Sequence, residues 1–307
     1  MKIKNTLHNT TFHSSLSTLP SSLFTLFLSL FTLLLFTLQT TEIFAQQIDF
    51  RKLDSLIYTL DSNDKFMGSI AVAREGNVIY TSSAGYSDTE SGLKADKMSR
   101  YRIGSISKMF TAVLVFKAIE EGKLSLDMPL DRFYPSVENS KTITIADMLN
   151  HHSGIHSVTD NKDYLEWNTK PIAKKNMVKL ISEGKSEFEP KSKVKYSNSN
   201  YILLSFILED VYKKSYRDIL NKNIIKPLSL KHTEMPSNSK KLKGECNSYK
   251  FTDRWTKESD TDPSVPVGAG AIVSTPSDLV LFIDNLFSGK LLTEVSLKQM
   301  TTIKDGF

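Results

Sequence analysis

The chain has 307 residues, of which 40% are hydrophobic, 24% charged and 10% aromatic. This balance is typical of a globular protein and excludes disordered, collagenous and coiled-coil chains. The 39 basic and 34 acidic residues give a net charge of +5, an excess too small to indicate nucleic-acid binding. A single cysteine, Cys246, excludes an intramolecular disulfide framework.

Residues 1–45 are predicted to be an export signal. Lys2 and Lys4 precede an uncharged apolar run at residues 23–38, and Ala45 is a small residue suited to a cleavage point. The apolar run is shorter than the roughly twenty residues that cross a bilayer. We therefore expect an exported protein, periplasmic or facing outside the cytoplasm. The alternative is an uncleaved segment that anchors the chain in the membrane.

The exported part, residues 46–307, is predicted to begin with a β-hairpin. Two β-rich runs, Gly68–Arg74 and residues 78–84, are joined by Glu-Gly-Asn, which is the composition of a hairpin turn. A third short extended run follows at residues 101–104 and leads directly into a helical segment.

A helix is predicted over residues 105–121, with a glycine after it as the stop signal. It is apolar almost all round, which predicts that it is buried. Ser105 opens this helix and Lys108 follows one turn later, so the two side chains share a face. A serine needs a nearby base to act as a nucleophile, and a lysine whose pKa is lowered by burial can serve as that base.

Spacing alone does not identify this pair, because the chain contains six S-x-x-K matches. Only the match at Ser105 opens an apolar helix directly after a strand-like run. The alternative interpretation makes Ser105 a helix cap and Lys108 a surface residue. A lysine within a nearly all-apolar helix favours the functional interpretation.

The middle of the chain is predicted to be mostly helical, which suggests a helical subdomain at about residues 125–260 in an α+β protein. The predicted helices are residues 145–151, 171–183, 198–212 and 216–225. Residues 268–274 then read as an extended, close-packed segment. Thr275 and Pro276 follow as N-cap and first helical residue, predicting a helix that ends near residue 287.

Tyr196 and Asn198 form the only Y-x-N sequence in the chain. In an extended or turn segment both side chains can point the same way into a cleft. A tyrosine can relay a proton, and an asparagine can orient a lysine or a substrate amide. The alternative is a loop that ends in the N-cap of the following helix.

These motifs occur in the order seen in serine β-lactamase-like proteins, and the chain most resembles the class C β-lactamase branch, which also holds DD-peptidases and esterases. The resemblance covers about residues 50–300 and implies an antiparallel sheet flanked by helices, with a mostly helical second domain and the site between them. The motifs that carry it are Ser105-Ile-Ser-Lys108, MLNHHSGI at residues 148–155, Tyr196-Ser-Asn198, IIKPLSLKHTEM at residues 224–235 and GAGAIVSTPSDLVLF at residues 268–282.

The resemblance implies an exported serine hydrolase that forms an acyl-enzyme with an amide, lactam or ester carbonyl. Ser105 would be the nucleophile, Lys108 and Tyr196 would share proton transfer, and Asn198 would order the site. The Ser105 backbone N–H and one from a late strand would form the oxyanion hole. We expect a small-molecule, peptide or ester substrate, skewed to esters or peptides, with no cofactor, metal or nucleic acid.

The sequence departs from the family at its third motif, which is Lys or His, then Thr or Ser, then Gly, on a strand after the helix that begins near Pro276. Residues 304–306, Lys-Asp-Gly, are the nearest match and read as a turn. We therefore expect the C-terminal strands to be missing. The alternative function is a catalytically inactive or truncated binding or sensor domain.

Two further clusters are weaker candidates. His151, His152 and His156 include a pair with the i, i+4 spacing of a zinc motif, but no glutamate follows the first histidine and a Ser-Gly pair interrupts any helix. A role in shaping a loop under the cleft is therefore preferred to metal binding. The three lysines at positions 191, 193 and 195 either favour an anionic substrate, lower the pKa of the tyrosine that follows them, or form a solvated face, and the solvated face is preferred.

Overall fold

The computed structural model describes residues 48–302. The predicted export signal at residues 1–45 and the Lys-Asp-Gly turn at residues 304–306 lie outside the described residues. The chain divides into two units, Met1–Asp49 and Phe50–Phe307, and every element below belongs to the second. Within residues 48–302, no helix has the length and apolar character required to cross a membrane.

The predicted hairpin is confirmed as strands β1 (Gly68–Arg74) and β2 (Asn77–Ala84), which pair antiparallel. Glu75 and Gly76 both have positive φ, 51° and 76°. Two successive positive φ values are what a two-residue type I′ turn requires, and its twist matches that of the strands. The Glu-Gly-Asn sequence therefore sets the register of this hairpin.

Helices flank the hairpin, as the resemblance implied. Helix α1 (Arg51–Ser62) packs on β2, and helix α8 (Pro276–Phe287) packs on both strands. On the α1 side, the hydroxyl of Tyr80 donates a hydrogen bond of 2.7 Å to Asp54. Helix α8 begins where the sequence predicted, because the Thr275 side chain accepts the backbone N–H three residues on, and it ends at the predicted residue 287.

The remaining strands are short and also pair antiparallel. They are β3 (Tyr86–Asp88), β4 (Leu93–Lys94), β5 (Tyr101–Arg102), β6 (Tyr249–Phe251), β7 (Trp255–Lys257) and β8 (Val273–Ser274). The pair β5 and β8 joins the start of the central helix to the glycine-rich run near residue 270. The pair β6 and β7 forms a small hairpin inside the region predicted to be mostly helical.

Two apolar helices, α2 (Ser107–Glu120) and α6 (Asn198–Tyr212), pack on each other in the centre of the core. The burial predicted for the first of them is confirmed, since ten of its residues are buried. Its start differs from the sequence prediction, because a tight 3-10 turn at Gly104–Ile106 precedes the α-helix. Ser105 therefore lies in that turn.

The boundaries of the helical subdomain at about residues 125–260 stay a prediction. Two of the other helices, Tyr164–Trp167 and Glu294–Thr301, were not predicted, whereas the helices predicted at residues 145–151, 171–183 and 216–225 occur in that order. The first of them ends two residues earlier than predicted, because His151 has a left-handed φ of 59°. These helices are α3 (Ile145–Leu149), α4 (Tyr164–Trp167), α5 (Lys174–Glu183), α7 (Tyr216–Leu220) with a π-turn at Asn221–Ile225, and α9 (Glu294–Thr301). Within residues 288–302 no strand follows α8.

Candidate active site

The four residues singled out in the sequence lie in one hydrogen-bonded cluster. The Tyr196 hydroxyl lies 2.5 Å from Ser105 Oγ, and Lys108 Nζ lies 3.1 Å from the same oxygen. Lys108 Nζ also donates to Asn198 Oδ1 at 2.7 Å. Ser105 and Tyr196, which are 91 positions apart in the chain, thus meet at one serine hydroxyl.

Ser105 is presented to solvent by the end of a strand and the start of a helix. The 3-10 turn Gly104–Ile106 carries the chain from β5 into α2, and Gly104 takes a φ of 52° that favours glycine. Ser105 itself is exposed. Its position just before the α2 N-terminus places free backbone N–H groups and the positive end of the helix dipole nearby.

Lys108 is 7% exposed, and burial lowers the pKa of its amine to about 7. Three oxygens surround Nζ: Asn198 Oδ1 at 2.7 Å, the carbonyl oxygen of Ala269 at 2.8 Å and Ser105 Oγ at 3.1 Å. A neutral amine has two N–H donors and one lone pair. It can therefore donate to the two carbonyl oxygens and still accept a proton from the serine hydroxyl.

The carbonyl of Ala269 was not identified from the sequence. It belongs to a 3-10 turn, Val267–Ala269, that packs on α2 and α6. Gly268 N–H donates to Ser205 Oγ at 3.0 Å, and Thr111 Oγ1 donates to the Gly268 carbonyl at 2.8 Å. These bonds hold the turn against both helices. The glycine-rich run was the only sequence signal, because a backbone acceptor leaves no residue type to recognise.

Asn198 is held in a fixed orientation by the segment before α4. Its backbone N–H donates to Ser157 Oγ at 3.1 Å, and its Nδ2 donates to Thr159 Oγ1 at 2.8 Å. Because Nδ2 is used in this way, Oδ1 faces Lys108. Neither supporting hydroxyl was identified from the sequence, although both follow the MLNHHSGI motif by a few residues.

The weaker candidates take other partners. His156 Nδ1 lies 2.8 Å from Glu187, and Lys195 Nζ pairs with the same carboxylate at 2.5 Å. Lys191 Nζ lies 3.7 Å from Asp147. Within residues 48–302, no group of three or more histidine, cysteine or acidic side chains is arranged to hold a metal ion. Two of the three lysines before Tyr196, Lys191 and Lys195, thus pair with carboxylates.

A family model described as Beta-lactamase matches residues 62–305. The chain belongs to this family. Among solved structures, it is similar to a D-stereospecific amidohydrolase from Streptomyces sp., with 28% identity, a TM-score of 0.71, and coverage of 82% of this chain and 77% of that one. It is also similar to a D-amino acid amidase from Ochrobactrum anthropi SV3, with 25% identity, a TM-score of 0.70, and coverage of 80% of this chain and 73% of that one.

A curated relative is the teichoic acid D-alanine hydrolase of Staphylococcus aureus (strain MRSA252). It is 29% identical over 252 residues, which is 80% of this chain and 57% of the relative. The chain thus spans little more than half the length of that relative. The β-lactamase-like fold implied by the motifs is confirmed by these matches, and the relatives named here are hydrolases or amidases.

Proposed function

We propose that this protein is a serine hydrolase that forms an acyl-enzyme at Ser105 and acts on an ester or amide of a D-amino acid. The observation that carries the proposal is the contact of Ser105 Oγ with two proton acceptors at once, Lys108 Nζ at 3.1 Å and Tyr196 Oη at 2.5 Å. Such an arrangement is the signature of an activated nucleophile.

In the acylation step, Ser105 Oγ forms a bond to the substrate carbonyl carbon. Its proton passes to Lys108, whose pKa of about 7 leaves much of the amine neutral at physiological pH. The carbonyl oxygen becomes an oxyanion, which the Ser105 backbone N–H stabilises. When the carbon–oxygen or carbon–nitrogen bond breaks, the proton is returned through Tyr196 to the departing alcohol or amine.

In the deacylation step, water replaces the departed group. Tyr196 or Lys108 accepts a proton from the water as it attacks the acyl carbonyl, and Ser105 Oγ takes that proton back as it leaves. The products are a free carboxylic acid and the original enzyme. Asn198 keeps the Lys108 amine aligned in both steps through its 2.7 Å contact.

The D-amino acyl preference is supported by the relatives, because two are named for D-amino acid or D-stereospecific amide hydrolysis and one for removal of D-alanine from teichoic acid. Esters and amides both fit the chemistry, since each presents a carbonyl and a leaving group that accepts a proton. A lactam presents the same carbonyl, and turnover of a chromogenic cephalosporin distinguishes it from the other two substrate classes.

We further propose that the protein is exported. The uncharged run at residues 23–38 after two lysines supports this, as does the similarity to a hydrolase named for teichoic acid, a cell-envelope polymer. Fractionation of cells that produce the full chain tests the proposal. Protein found wholly in the cytoplasm with residues 1–45 retained would contradict it.

The hydrolase proposal is tested by turnover of the p-nitroanilides of D-alanine and L-alanine, a p-nitrophenyl ester and a chromogenic cephalosporin. We expect the D-amide and the ester to be hydrolysed faster than the other two. Ser105→Ala should reduce turnover by about 10³-fold or more. Ser91→Ala, at an exposed S-x-x-K match, is the matched control and should retain activity. Equal turnover by Ser105→Ala and the parent protein would refute the nucleophile assignment.

A further inference from the structure

His151 is buried, at 4% exposure, directly behind the segment that carries Tyr196 and Asn198. Its Nδ1 accepts a hydrogen bond of 3.1 Å from the backbone N–H of Ser197. Ser197 is the residue between the tyrosine and the asparagine. A hydrogen bond to its N–H therefore fixes the backbone at the point from which both side chains reach the site.

The imidazole ring also contacts Tyr196 directly. The two ring centroids are 4.6 Å apart with an angle of 33° between the planes. The hydroxyl of the same tyrosine lies 2.5 Å from Ser105 Oγ, so His151 packs against the residue that contacts the serine. The ring contact restricts rotation of the Tyr196 side chain, and the hydrogen bond to Ser197 restricts the position of the backbone beside it.

A third attachment comes from the His151 backbone. Its carbonyl oxygen accepts from the Lys195 N–H at 3.1 Å, so one residue binds the segment on both sides of Tyr196. His151 can do this because its φ of 59° turns the chain sharply after α3. Histidine and asparagine adopt this left-handed conformation more readily than most residues.

The histidine must be neutral for this role, because Nδ1 acts as an acceptor and the ring proton then lies on Nε2. Burial, together with the positive charges of Lys108 and His152, lowers the pKa of His151 to about 4. The Asn200 amide nitrogen also lies 3.3 Å from Nδ1. Two donors converging on one nitrogen are consistent with that tautomer.

We propose that His151 is a positioning residue for the reaction, which sets Tyr196 and Asn198 at the distances from Ser105 and Lys108 that proton transfer needs. The inference rests on the proposed function. His151 does not touch the reacting atoms; it acts through the Tyr196–Asn198 segment. A misplacement of about 1 Å in such a group is enough to reduce a rate by about 100-fold.

Two variants separate the contributions of the histidine. His151→Phe keeps a ring beside Tyr196 but removes the acceptor. His151→Asn keeps an acceptor near the Nδ1 position and tolerates the left-handed φ. Tyr201→Phe is the matched structural control, because it removes a different buried hydrogen bond, of 3.0 Å to the Leu149 carbonyl, and keeps its ring.

We expect His151→Phe to lower kcat on a p-nitrophenyl ester by about 10- to 100-fold with little change in KM. His151→Asn should recover most of that loss, and Tyr201→Phe should lose little activity at a similar melting temperature. In a Tyr196→Phe background the further effect of His151→Phe should shrink, because both changes act on the same proton path. Equal losses in His151→Phe and Tyr201→Phe, or fully additive losses with Tyr196→Phe, would overturn the proposal.

A second readout does not depend on activity. Hydrogen exchange at the Ser197 amide should be slow in the parent protein and in His151→Asn, and faster in His151→Phe. If the parent protein shows no Ser105-dependent hydrolysis, the proposed function fails while this exchange pattern still tests the positioning role. Unchanged exchange at Ser197 in His151→Phe would show that the histidine does not hold the segment.

Discussion

The amine of Lys108 lies 2.8 Å from the carbonyl oxygen of Ala269, a residue 161 positions further along the chain. This bond attaches the lysine to the turn Val267–Ala269. It also gives the neutral amine its second acceptor beside Asn198, so that the lone pair remains for the serine proton. The proposed chemistry depends on a backbone group as much as on the four side chains of the motifs.

The rate of acylation should depend on pH through Lys108. Below its pKa of about 7 the amine is protonated and has no lone pair, so kcat/KM should fall as the pH drops through 7. Measurement between pH 5 and 9 with a p-nitrophenyl ester tests this. A decrease in kcat/KM with an apparent pKa near 4 or 5 would show that a carboxylic acid, and not this lysine, controls the rate.

Asn198→Asp should raise the apparent pKa below which kcat/KM falls. A carboxylate 2.7 Å from Nζ would favour the protonated amine, and a neighbouring opposite charge of this kind shifts a pKa by about 1 to 3 units. At pH 7 the variant should therefore be slow, and it should regain activity towards pH 9. Loss of activity that is equal at every pH would point instead to a displaced side chain.

The buried lysine should also reduce stability at neutral pH. The folded protein releases the Lys108 proton above a pKa of about 7, whereas the unfolded chain keeps it up to the ordinary value of 10.5. Since stability rises with pH wherever the unfolded state binds more protons, the unfolding free energy should rise from pH 7 to about pH 10.

Lys108→Met provides the reference for that effect. The unfolding free energy of the parent protein, relative to this variant, should increase by about 1 kcal/mol per pH unit between pH 7.5 and 9.5. Urea denaturation at several pH values measures the difference. A difference that is constant over this range would mean that the amine keeps its ordinary pKa.

Gly268→Ala should destabilise the protein and reduce activity. The added Cβ would lie 2.7 Å from Tyr216 Cζ and closer still to Ser205 Oγ and Thr111 Oγ1. Overpacking of a rigid core costs about 1 to 3 kcal/mol, and displacement of the turn would move the Ala269 carbonyl away from Lys108.

Gly289→Ala is the comparison for this prediction, because its Cβ would meet no atom within 4 Å. Its positive φ of 76° carries only a backbone cost of about 1 to 2 kcal/mol. Thermal unfolding should therefore show the larger loss for Gly268→Ala, and only that variant should lose ester hydrolysis. Equal activity in the two variants would contradict a role for the turn in holding the lysine.

Much of the fold could be predicted where local chemistry decides it. Thr275 and Pro276 predict the first residue of α8, and Glu75 with Gly76 predicts the turn between β1 and β2. The four candidate site residues were predicted from sequence context and the order of the motifs, and the structure brings them within hydrogen-bonding distance of one another; their roles stay a prediction. Short strands such as β6 and β7 were missed, because three residues provide too little alternation to be distinguished from a loop.

The supporting parts of the site could not be predicted for a different reason. The Ala269 carbonyl and the hydroxyls of Ser157 and Thr159 gain their roles only when distant segments pack together. A carbonyl is present in every residue, and serine and threonine are common in loops. His151 was noted as one of three histidines, but its contact with the Ser197 N–H follows from a left-handed turn that the sequence did not predict.

The central claim is that Ser105 is the nucleophile, and labelling of the full chain with a fluorophosphonate tests it most directly. After trypsin digestion, the adduct should lie on the peptide of residues 103–108, and fragmentation should place it on Ser105 and not on Ser107. Labelling should be slower in Lys108→Met and absent in Ser105→Ala. An adduct on another serine, or labelling that persists in Ser105→Ala, would contradict the account.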